Sequence, residues 1–351
     1  MVNVFIGIDV GTQGTKAIAY LPSSSHAKGK ILARSSSSYN LLPNNGIVGR
    51  AEQDPNDWII AVRYTLKELV SKIDLVAPSN DNKNDDDDTR YVLSGIGISG
   101  QQHGMVLLDS NYKPLRPAKL WCDVEASDEA EWIQNSCGDN GKWNHVLPGF
   151  TAPKVLWTIK NEPEIWKNVR WCVLPHDYIN LVLRGVHDDD MTTSCLDEIQ
   201  PTTDRGDASG SGVYNVFTNQ YCMELTNAID PTGRYAKALP TILEPLDICG
   251  SLSLQWMEDI GLLPHHYADD QSSTPYIPIS VGSGDNMCSA LGVGCVEPGM
   301  AVLSLGTSGT IFGVSHSPPS SKVAPFADAS GRYLPLVCTM SCTGVLNSVL
   351  D

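Results

Sequence analysis

The sequence lacks the features by which several protein classes are recognised. No stretch approaches the roughly 20 consecutive apolar residues that cross a bilayer, so we expect no membrane partner. No basic segment followed by an apolar one opens the chain, so we expect no secretory signal and a cytoplasmic location. No G-x-x-x-x-G-K-[ST] motif is present, which excludes a P-loop ATPase.

Basic residues are also scarce. The 351-residue chain has 24 Lys and Arg against 40 Asp and Glu, a formal net charge of −16. Because no basic field attracts phosphates from a distance, we exclude a general nucleic-acid partner. Residues 79–88 contain five acids, one lysine and no apolar residue, and we predict a solvated insertion between a helix and a strand. A metal-binding role for this insertion is the alternative.

The ten cysteines include no C-x-x-C pair. In a chain without an export signal this favours reduced, mostly buried thiols. His265 and His266 have no cysteine partners at the spacing of a zinc site, so we discount zinc.

Length and local patterns predict an α/β protein of two domains. The apolar share of 42% is typical of a globular chain. Asp54 as N-cap, Pro55 at the first position and apolar residues at intervals of four and three predict a helix. Residues 91–98 predict a buried strand. Residues 95–100 fit G-x-G-x-x-G, but they lie in that strand rather than opening a helix, which argues against a nicotinamide enzyme.

A five-residue pattern, Gly-Thr-x-Gly-Thr, occurs twice, at residues 11–15 and 306–310. Apolar segments flank both copies, so each predicts a β-hairpin with a polar, Gly-rich tip. Either hairpin alone is typical of an ordinary turn. The repetition indicates two related domains that each place a hairpin at a shared cleft.

Such hairpins can bind phosphate. Glycine lets the backbone approach an anion, while free N–H groups and hydroxyls hold it. Asp9 is a candidate Mg²⁺ ligand, acting through water. Lys16 either contacts a phosphate or points into solvent. The candidate phosphate-binding residues are Asp9, Gly11, Thr12, Gln13, Lys16, Gly306, Thr307 and Ser308.

Two more segments carry candidate chemistry. Residues 99–105 follow the 91–98 strand, and Gln102 and His103 there offer donors and acceptors for sugar hydroxyls. The alternative is a polar loop whose histidine bonds to nearby backbone. Asp285 follows a Gly-Ser-Gly segment and precedes a predicted helix. It is either a helix N-cap or a general base.

Taken together, these motifs resemble the FGGY family of carbohydrate kinases, and within it the xylulokinases. The resemblance runs from Val4 to the C-terminus, apart from the acidic insertion and some loops. The motifs that carry it are residues 7–16, 52–55, 99–104, 120–123, 175–178, 203–212 and 306–309.

The resemblance implies an actin-like pair of RNase H-like domains that uses ATP and Mg²⁺ to phosphorylate D-xylulose to D-xylulose 5-phosphate. It implies that Asp285 is the catalytic base and that Gln102, His103, Asp285 and Asn286 bind the sugar. It also implies that Asp9 lies near Mg²⁺ and the transferred phosphate. Ribulose, sedoheptulose, gluconate and glycerol remain alternative substrates, and a non-catalytic sugar-binding protein remains an alternative function. A homodimer is a further expectation.

The domain boundary follows from the repeat. We expect residues 1–297 to form the first domain, with the sugar and phosphate sites and the acidic insertion. Residues 298–351 would begin the second domain and carry the second phosphate hairpin. Because this second part is too short to duplicate the first, we expect a C-terminally truncated kinase that lacks most of the adenine pocket.

Overall fold

A computed structural model describes residues 1–24, 28–78, 90–136, 146–188, 199–263, 275–305, 309–317, 323–339 and 342. The predicted acidic insertion, the His265–His266 pair and the tip residues Gly306, Thr307 and Ser308 lie outside these residues. Among the helices described there, none has the length and apolar character needed to cross a membrane.

The described strands are, in chain order, β1 (Val2–Val10), β2 (Gly14–Leu21), β3 (Lys30–Ser38), β4 (Glu52–Gln53), β5 (Tyr91–Gly100), β6 (Val106–Leu108), β7 (Ala118–Lys119), β8 (Trp171–Val173), β9 (Thr202–Asp204), β10 (Tyr214–Asn215), β11 (Gln220–Tyr221), β12 (Thr241–Leu243), β13 (Ile248–Ser251), β14 (Pro278–Ser280), β15 (Ser283–Gly284), β16 (Ala301–Leu305), β17 (Gly309–Gly313) and β18 (Leu336–Thr339). The described helices are α1 (Pro55–Ile73), α2 (Ser127–Ser136), α3 (Thr151–Asn161), α4 (Pro163–Asn168), α5 (Pro175–Leu183), α6 (Arg205–Ala208), α7 (Met223–Ile229), α8 (Arg234–Ala238), α9 (Leu254–Asp259) and α10 (Asp285–Gly292).

A mixed central sheet organises the first 290 or so residues. Its order is β13-β14-β5-β1-β2-β3, with β15 also beside β5. β1, β2 and β3 are antiparallel neighbours, whereas β5 runs parallel to β1, β14 and β15. Asp9 of β1 and Ser283 of β15 both pair with Ser99 of β5. The carboxyl ends of these three parallel strands therefore meet at one edge of the sheet.

Helix α1 forms as its sequence predicts. The Asp54 carboxylate accepts a hydrogen bond of 2.9 Å from the Asn56 N–H, and Pro55 occupies the first helical turn. The helix ends at Asp74, which adopts the left-handed conformation with φ of 50°. The face that packs against the sheet is buried and consists of Trp58, Ala61, Val62, Thr65, Leu66, Leu69 and Val70.

The second Gly-Thr segment also lies between paired strands. β16 and β17 are antiparallel, and β18 pairs with β17. Phe312 and Leu336 face a core that also contains Val155 of α3 and Met287 of α10. The opposite face is an apolar row in which Leu303, Ile311 and Val337 are 63%, 50% and 53% exposed. The strands of both predicted hairpins are thus confirmed.

The described cysteines support the prediction of reduced thiols. Cys122, Cys172, Cys222, Cys249, Cys288, Cys295, Cys338 and Cys342 are free, and Cys137 and Cys195 lie outside the described residues. Burial raises the pKa of Cys172 to about 12 and that of Cys249 to about 11, so both stay protonated at neutral pH.

The contact between α1 and the sheet can be tested at Leu66, whose side chain is fully buried. Leu66→Ala should lower the free energy of unfolding by about 2–5 kcal/mol, because it removes buried methyl groups and leaves a cavity. Urea denaturation of the chain measures this. The neighbouring exposed Lys67 provides the control, since Lys67→Ala should change stability by less than about 0.5 kcal/mol. Equal effects of the two changes would contradict this packing.

Candidate active site

The first Gly-Thr hairpin joins β1 to β2 at the carboxyl edge of the sheet. The Gly11 N–H donates to the Gly14 carbonyl over 3.1 Å, which closes the turn. A Cβ atom at Gly14 would lie 2.5 Å from the Ser37 carbonyl oxygen of β3, so only glycine allows this close approach. Thr12 is half-buried and Gln13 is exposed. At the tip of the turn, the protein therefore partly covers Thr12, whereas Gln13 is exposed to solvent.

A ring of hydrogen bonds connects this hairpin to residues 101–103, which we call the 101–103 loop. The Thr12 hydroxyl donates to Gln101 Oε1 over 3.0 Å, and Gln101 Nε2 donates to Gln53 Oε1 over 3.0 Å. Gln53 Nε2 closes the ring by donating to the Thr12 carbonyl over 2.7 Å. Trp58 donates to Gln53 Oε1, and Trp121 donates to the Thr12 hydroxyl. These hydrogen bonds therefore connect the 101–103 loop directly to the hairpin.

Asp9 lies at the end of β1, opposite Lys16 of β2 and Ser99 of β5. The Ser99 hydroxyl donates to Asp9 Oδ1 over 2.9 Å. Burial raises the pKa of Asp9, while the Ser99 hydrogen bond and the Lys16 charge lower it. Asp9, Lys16 and Ser99 all line a cavity of about 500 Å³. A carboxylate with hydroxyls around a roomy cavity suits a magnesium ion that keeps most of its water.

A separate group of carboxylates does not form a metal centre. The oxygens of Glu52, Asp123 and Glu125 lie close enough together to share a cation. However, the buried Lys119 Nζ already lies 2.6 Å from Glu125, 3.3 Å from Asp123 and 3.5 Å from Glu52. Arg50 also pairs with Glu125 at 2.8 Å. The protein's own cations thus neutralise this cluster.

Asp285 is the first residue of α10, and its carboxyl group is half-buried. The N-cap is Gly284, so the interpretation of Asp285 as the N-cap is wrong. Its Oδ1 accepts from the Asn286 N–H over 2.8 Å. Burial first, and then the charges of Asp9 and Asp207, raise the pKa of Asp285 to about 7. A carboxyl group with a pKa near neutrality is suited to accept a proton.

Behind Asp285 lies a fully buried polar network. The Ser283 hydroxyl, two residues before Asp285, donates to Asp204 over 2.7 Å. His176 Nδ1 lies 2.6 Å from the Asp207 carboxylate. Burial opposes protonation of His176, but Asp177 and Asp207 outweigh it and raise its pKa to about 9. The network thus holds β15, the short strand that immediately precedes Asp285.

Gln102 and His103 of the 101–103 loop line a second cavity with Asp285, of about 230 Å³. Asn286 Nδ2 donates to Gln102 Oε1 over 2.8 Å, which fixes the orientation of the Gln102 amide. Gln102 Nε2 is therefore a buried donor, and it has no protein partner among the described residues. The cavity is lined by Gln102, His103, Trp121, Asp285, Asn286, Ser304, Thr310, Leu336 and Cys338.

His103 is held in one orientation. Its backbone is left-handed, with φ of 62°, and its ring stacks on Phe150 with centroids 4.5 Å apart. Burial, reinforced by Lys154, lowers the pKa of His103 to about 3, so the imidazole is neutral. Nδ1 lies 3.0 Å from the Gly210 carbonyl, which can only accept, so Nδ1 carries the proton. Nε2 is therefore a bare acceptor on a residue that lines the cavity.

The structure places six of the predicted site residues at the two cavities, while Gly11, Thr12 and Gln13 line neither of them. Gln102, His103, Asp285 and Asn286 share the smaller cavity, and Asp9 and Lys16 line the larger one. Gly11, Thr12 and Gln13 form the hairpin tip. Sequence reasoning missed Gln53, Trp121 and Lys154, although Gln53 and Trp121 lie in segments quoted for the family resemblance. No pattern in the sequence distinguishes Lys154 from a surface lysine.

Comparisons with known proteins agree with this architecture. The family model described as "FGGY family of carbohydrate kinases, N-terminal domain" matches residues 4–292. A curated xylulose kinase of Haemophilus influenzae is 33% identical over 348 residues, covering 97% of this chain and 62% of that protein. A solved structure described as a xyloylose kinase from Brucella ovis is similar with a TM-score of 0.78 and 26% identity, covering 98% of this chain and 62% of that one. A gluconate kinase from Lactobacillus acidophilus has the same TM-score at 22% identity, with 100% and 62% covered.

The fold and the comparisons together identify the class of protein to which this chain belongs. The predicted α/β, actin-like and RNase H-like fold of the sugar kinases is confirmed. The chain belongs to the FGGY family of carbohydrate kinases. It spans about 62% of the length of the curated relative described above. The domain boundary at 297–298 stays a prediction.

The hydrogen-bond ring predicts a stability effect. Gln53→Leu should lower the free energy of unfolding by about 1–3 kcal/mol, because it leaves the Thr12 carbonyl and two side-chain N–H groups buried without partners. Urea denaturation measures the change. Gln13→Leu, at the exposed tip of the same hairpin, is the matched control and should be nearly neutral. If both variants unfold at the same urea concentration, the ring does not stabilise the hairpin.

Proposed function

We propose that this protein transfers the γ-phosphoryl group of ATP to D-xylulose, giving D-xylulose 5-phosphate and ADP. The observation that carries the proposal is the position of Asp285. Its carboxyl group lines the sugar-sized cavity and lies near enough to Asp9 for that charge to raise its pKa. A proton acceptor thus lines the cavity with the candidate sugar-binding groups and lies near Asp9, which lines the larger cavity.

The proposed reaction is an in-line displacement. Asp285 accepts the proton of the sugar hydroxyl as the hydroxyl oxygen forms a bond to the γ-phosphorus. The bond from the γ-phosphorus to the bridging oxygen breaks, and ADP leaves with that oxygen. A bound Mg²⁺ would be held by Asp9 through water and would neutralise phosphate charge. The N–H groups of Thr12 and Gln13 and the Lys16 ammonium would hold phosphate oxygens, because the Gly11 N–H already donates to the Gly14 carbonyl.

The small cavity has the polarity that a sugar requires. Gln102 Nε2 is a buried donor without a partner, and His103 Nε2 is a bare acceptor. A hydroxyl both donates and accepts, so one ligand carrying several hydroxyls satisfies both groups. Burying a polar group without a partner costs about 1–3 kcal/mol, so these groups favour hydroxylated ligands over apolar ones.

The name of the curated relative supports D-xylulose as the acceptor. Gluconate remains an alternative because a gluconate kinase has the same fold, and ribulose, sedoheptulose and glycerol complete the set to test. A second candidate function is sugar binding without phosphoryl transfer. It is favoured by one observation, that Gln102, His103 and Asn286 of this chain line the smaller cavity. Calorimetry with D-xylulose and with ATP distinguishes the two functions.

The role of Asp285 predicts the behaviour of Asp285→Asn. Loss of the proton acceptor should lower kcat by about 10²–10⁴-fold, with a smaller change in sugar affinity. A coupled ADP-release assay with the acceptor panel measures it. Asp74→Asn is the matched control, because Asp74 is exposed and Asn tolerates its left-handed backbone. An Asp285→Asn variant that keeps more than about a tenth of the activity would eliminate Asp285 as the base.

The raised pKa of Asp285 predicts the pH profile. The carboxylate is the active form, and because its pKa is about 7 it becomes protonated as the pH falls through neutrality. kcat/KM should therefore fall about tenfold per pH unit below pH 6.5 and level off above pH 8. Initial rates between pH 5.5 and 8.5 test this. A profile that is flat across that range would contradict the proposed proton transfer to Asp285.

A further inference from the structure

Helix α3 carries a buried lysine that the proposed reaction does not use. The Lys154 side chain has no exposed surface, and its Nζ lies 2.9 Å from the His103 carbonyl oxygen and 2.6 Å from the Gly149 carbonyl oxygen. Within the described part of the chain, no carboxylate forms an ion pair with it. Since burial of a charged group is costly, two main-chain carbonyls are an unusual set of partners. The two hydrogen bonds that Nζ makes to these carbonyls must therefore offset the cost of burying it.

The His103 carbonyl is what Lys154 holds. His103 adopts a left-handed backbone, which is uncommon for a residue with a side chain. The Thr151 hydroxyl also donates to its carbonyl, over 3.2 Å. Phe150, the residue before α3, supplies the ring on which the imidazole stacks. The start of α3 thus holds both the backbone and the ring of His103.

We propose that Lys154 is a positioning residue of the sugar site. Its Nζ holds the His103 carbonyl, so that Nδ1 stays on the Gly210 carbonyl and Nε2 presents an acceptor to the cavity. The identity of the ligand as a sugar rests on the proposed function above, whereas the positioning of His103 does not. Lys154 lines neither of the two cavities, so it acts through His103 rather than on the ligand.

The contact does not require a charged lysine. Burial lowers the pKa of Lys154 to about 7, with Asp123 raising it and Lys119 lowering it further. A neutral amine keeps two N–H groups, one for each carbonyl, so both hydrogen bonds survive deprotonation. A side chain of similar length without N–H groups, in contrast, loses both bonds.

The first test is spectroscopic and needs no ligand. The ¹⁵N signals of the His103 ring, assigned by their loss in His103→Gln, report which nitrogen is protonated. In the wild-type chain we expect protonated Nδ1 and bare Nε2 from pH 5.5 to 8.5. Lys154→Met should give a mixture of the two neutral tautomers, because the His103 carbonyl is no longer held. Lys160→Met, at an exposed position of the same helix, should leave the wild-type signature. An unchanged signature in Lys154→Met would overturn the proposal.

The second test is calorimetric titration of the same chains with D-xylulose. Lys154→Met should weaken binding about tenfold or more, and Lys160→Met should not change it. If Lys154→Met does not fold, Lys154→Gln keeps an N–H donor without the charge, and an intermediate weakening is expected. Reduced stability with unchanged affinity and unchanged His103 signals would make Lys154 merely structural and overturn the proposal. If the wild-type chain does not bind D-xylulose, the proposed function fails while the His103 signals still decide the role of Lys154.

Discussion

The constraint on which the site depends is the ring of hydrogen bonds among Thr12, Gln101 and Gln53. Its directions are fixed, because the indole N–H groups of Trp58 and Trp121 can only donate. Gln53 Oε1 must therefore accept, which leaves its Nε2 to hold the Thr12 carbonyl. The first Gly-Thr hairpin and the 101–103 loop come from distant parts of the chain, and this ring joins them directly.

The topology of the central sheet brings Asp9 and Asp285 close to the hairpin and the 101–103 loop. β5 runs parallel to both β1 and β15. Asp9 near the end of β1 and the segments that follow β5 and β15, the 101–103 loop and Asp285, therefore lie at the same edge of the sheet. This proximity has an electrostatic consequence. Burial and the nearby charges of Asp9 and Asp207 keep the pKa of Asp285 near 7 rather than near 4. A carboxyl group with a raised pKa and the cavity beside Asp9 thus arise from one arrangement of strands.

The local elements could be predicted because their signals are local. The N-cap at Asp54, the buried strand at β5 and the first Gly-Thr hairpin all follow from neighbouring residues. Lys154 and Gln53 could not be predicted as parts of the site, since their roles depend on carbonyls that only the folded chain brings near. Asp285 was ambiguous for a different reason. An aspartate beside a glycine can be the N-cap or the first helical residue, and only backbone geometry decides between them.

We propose that the smaller cavity binds the sugar with its reacting hydroxyl directed at Asp285. The most direct measurement is an experimental structure of this chain with D-xylulose bound. If Asp285 is the general base, the 5-hydroxyl oxygen should lie within about 3 Å of its carboxylate. Other hydroxyls should lie on Gln102 Nε2 and His103 Nε2. A sugar bound with its 5-hydroxyl directed away from Asp285, or bound outside this cavity, would contradict the account.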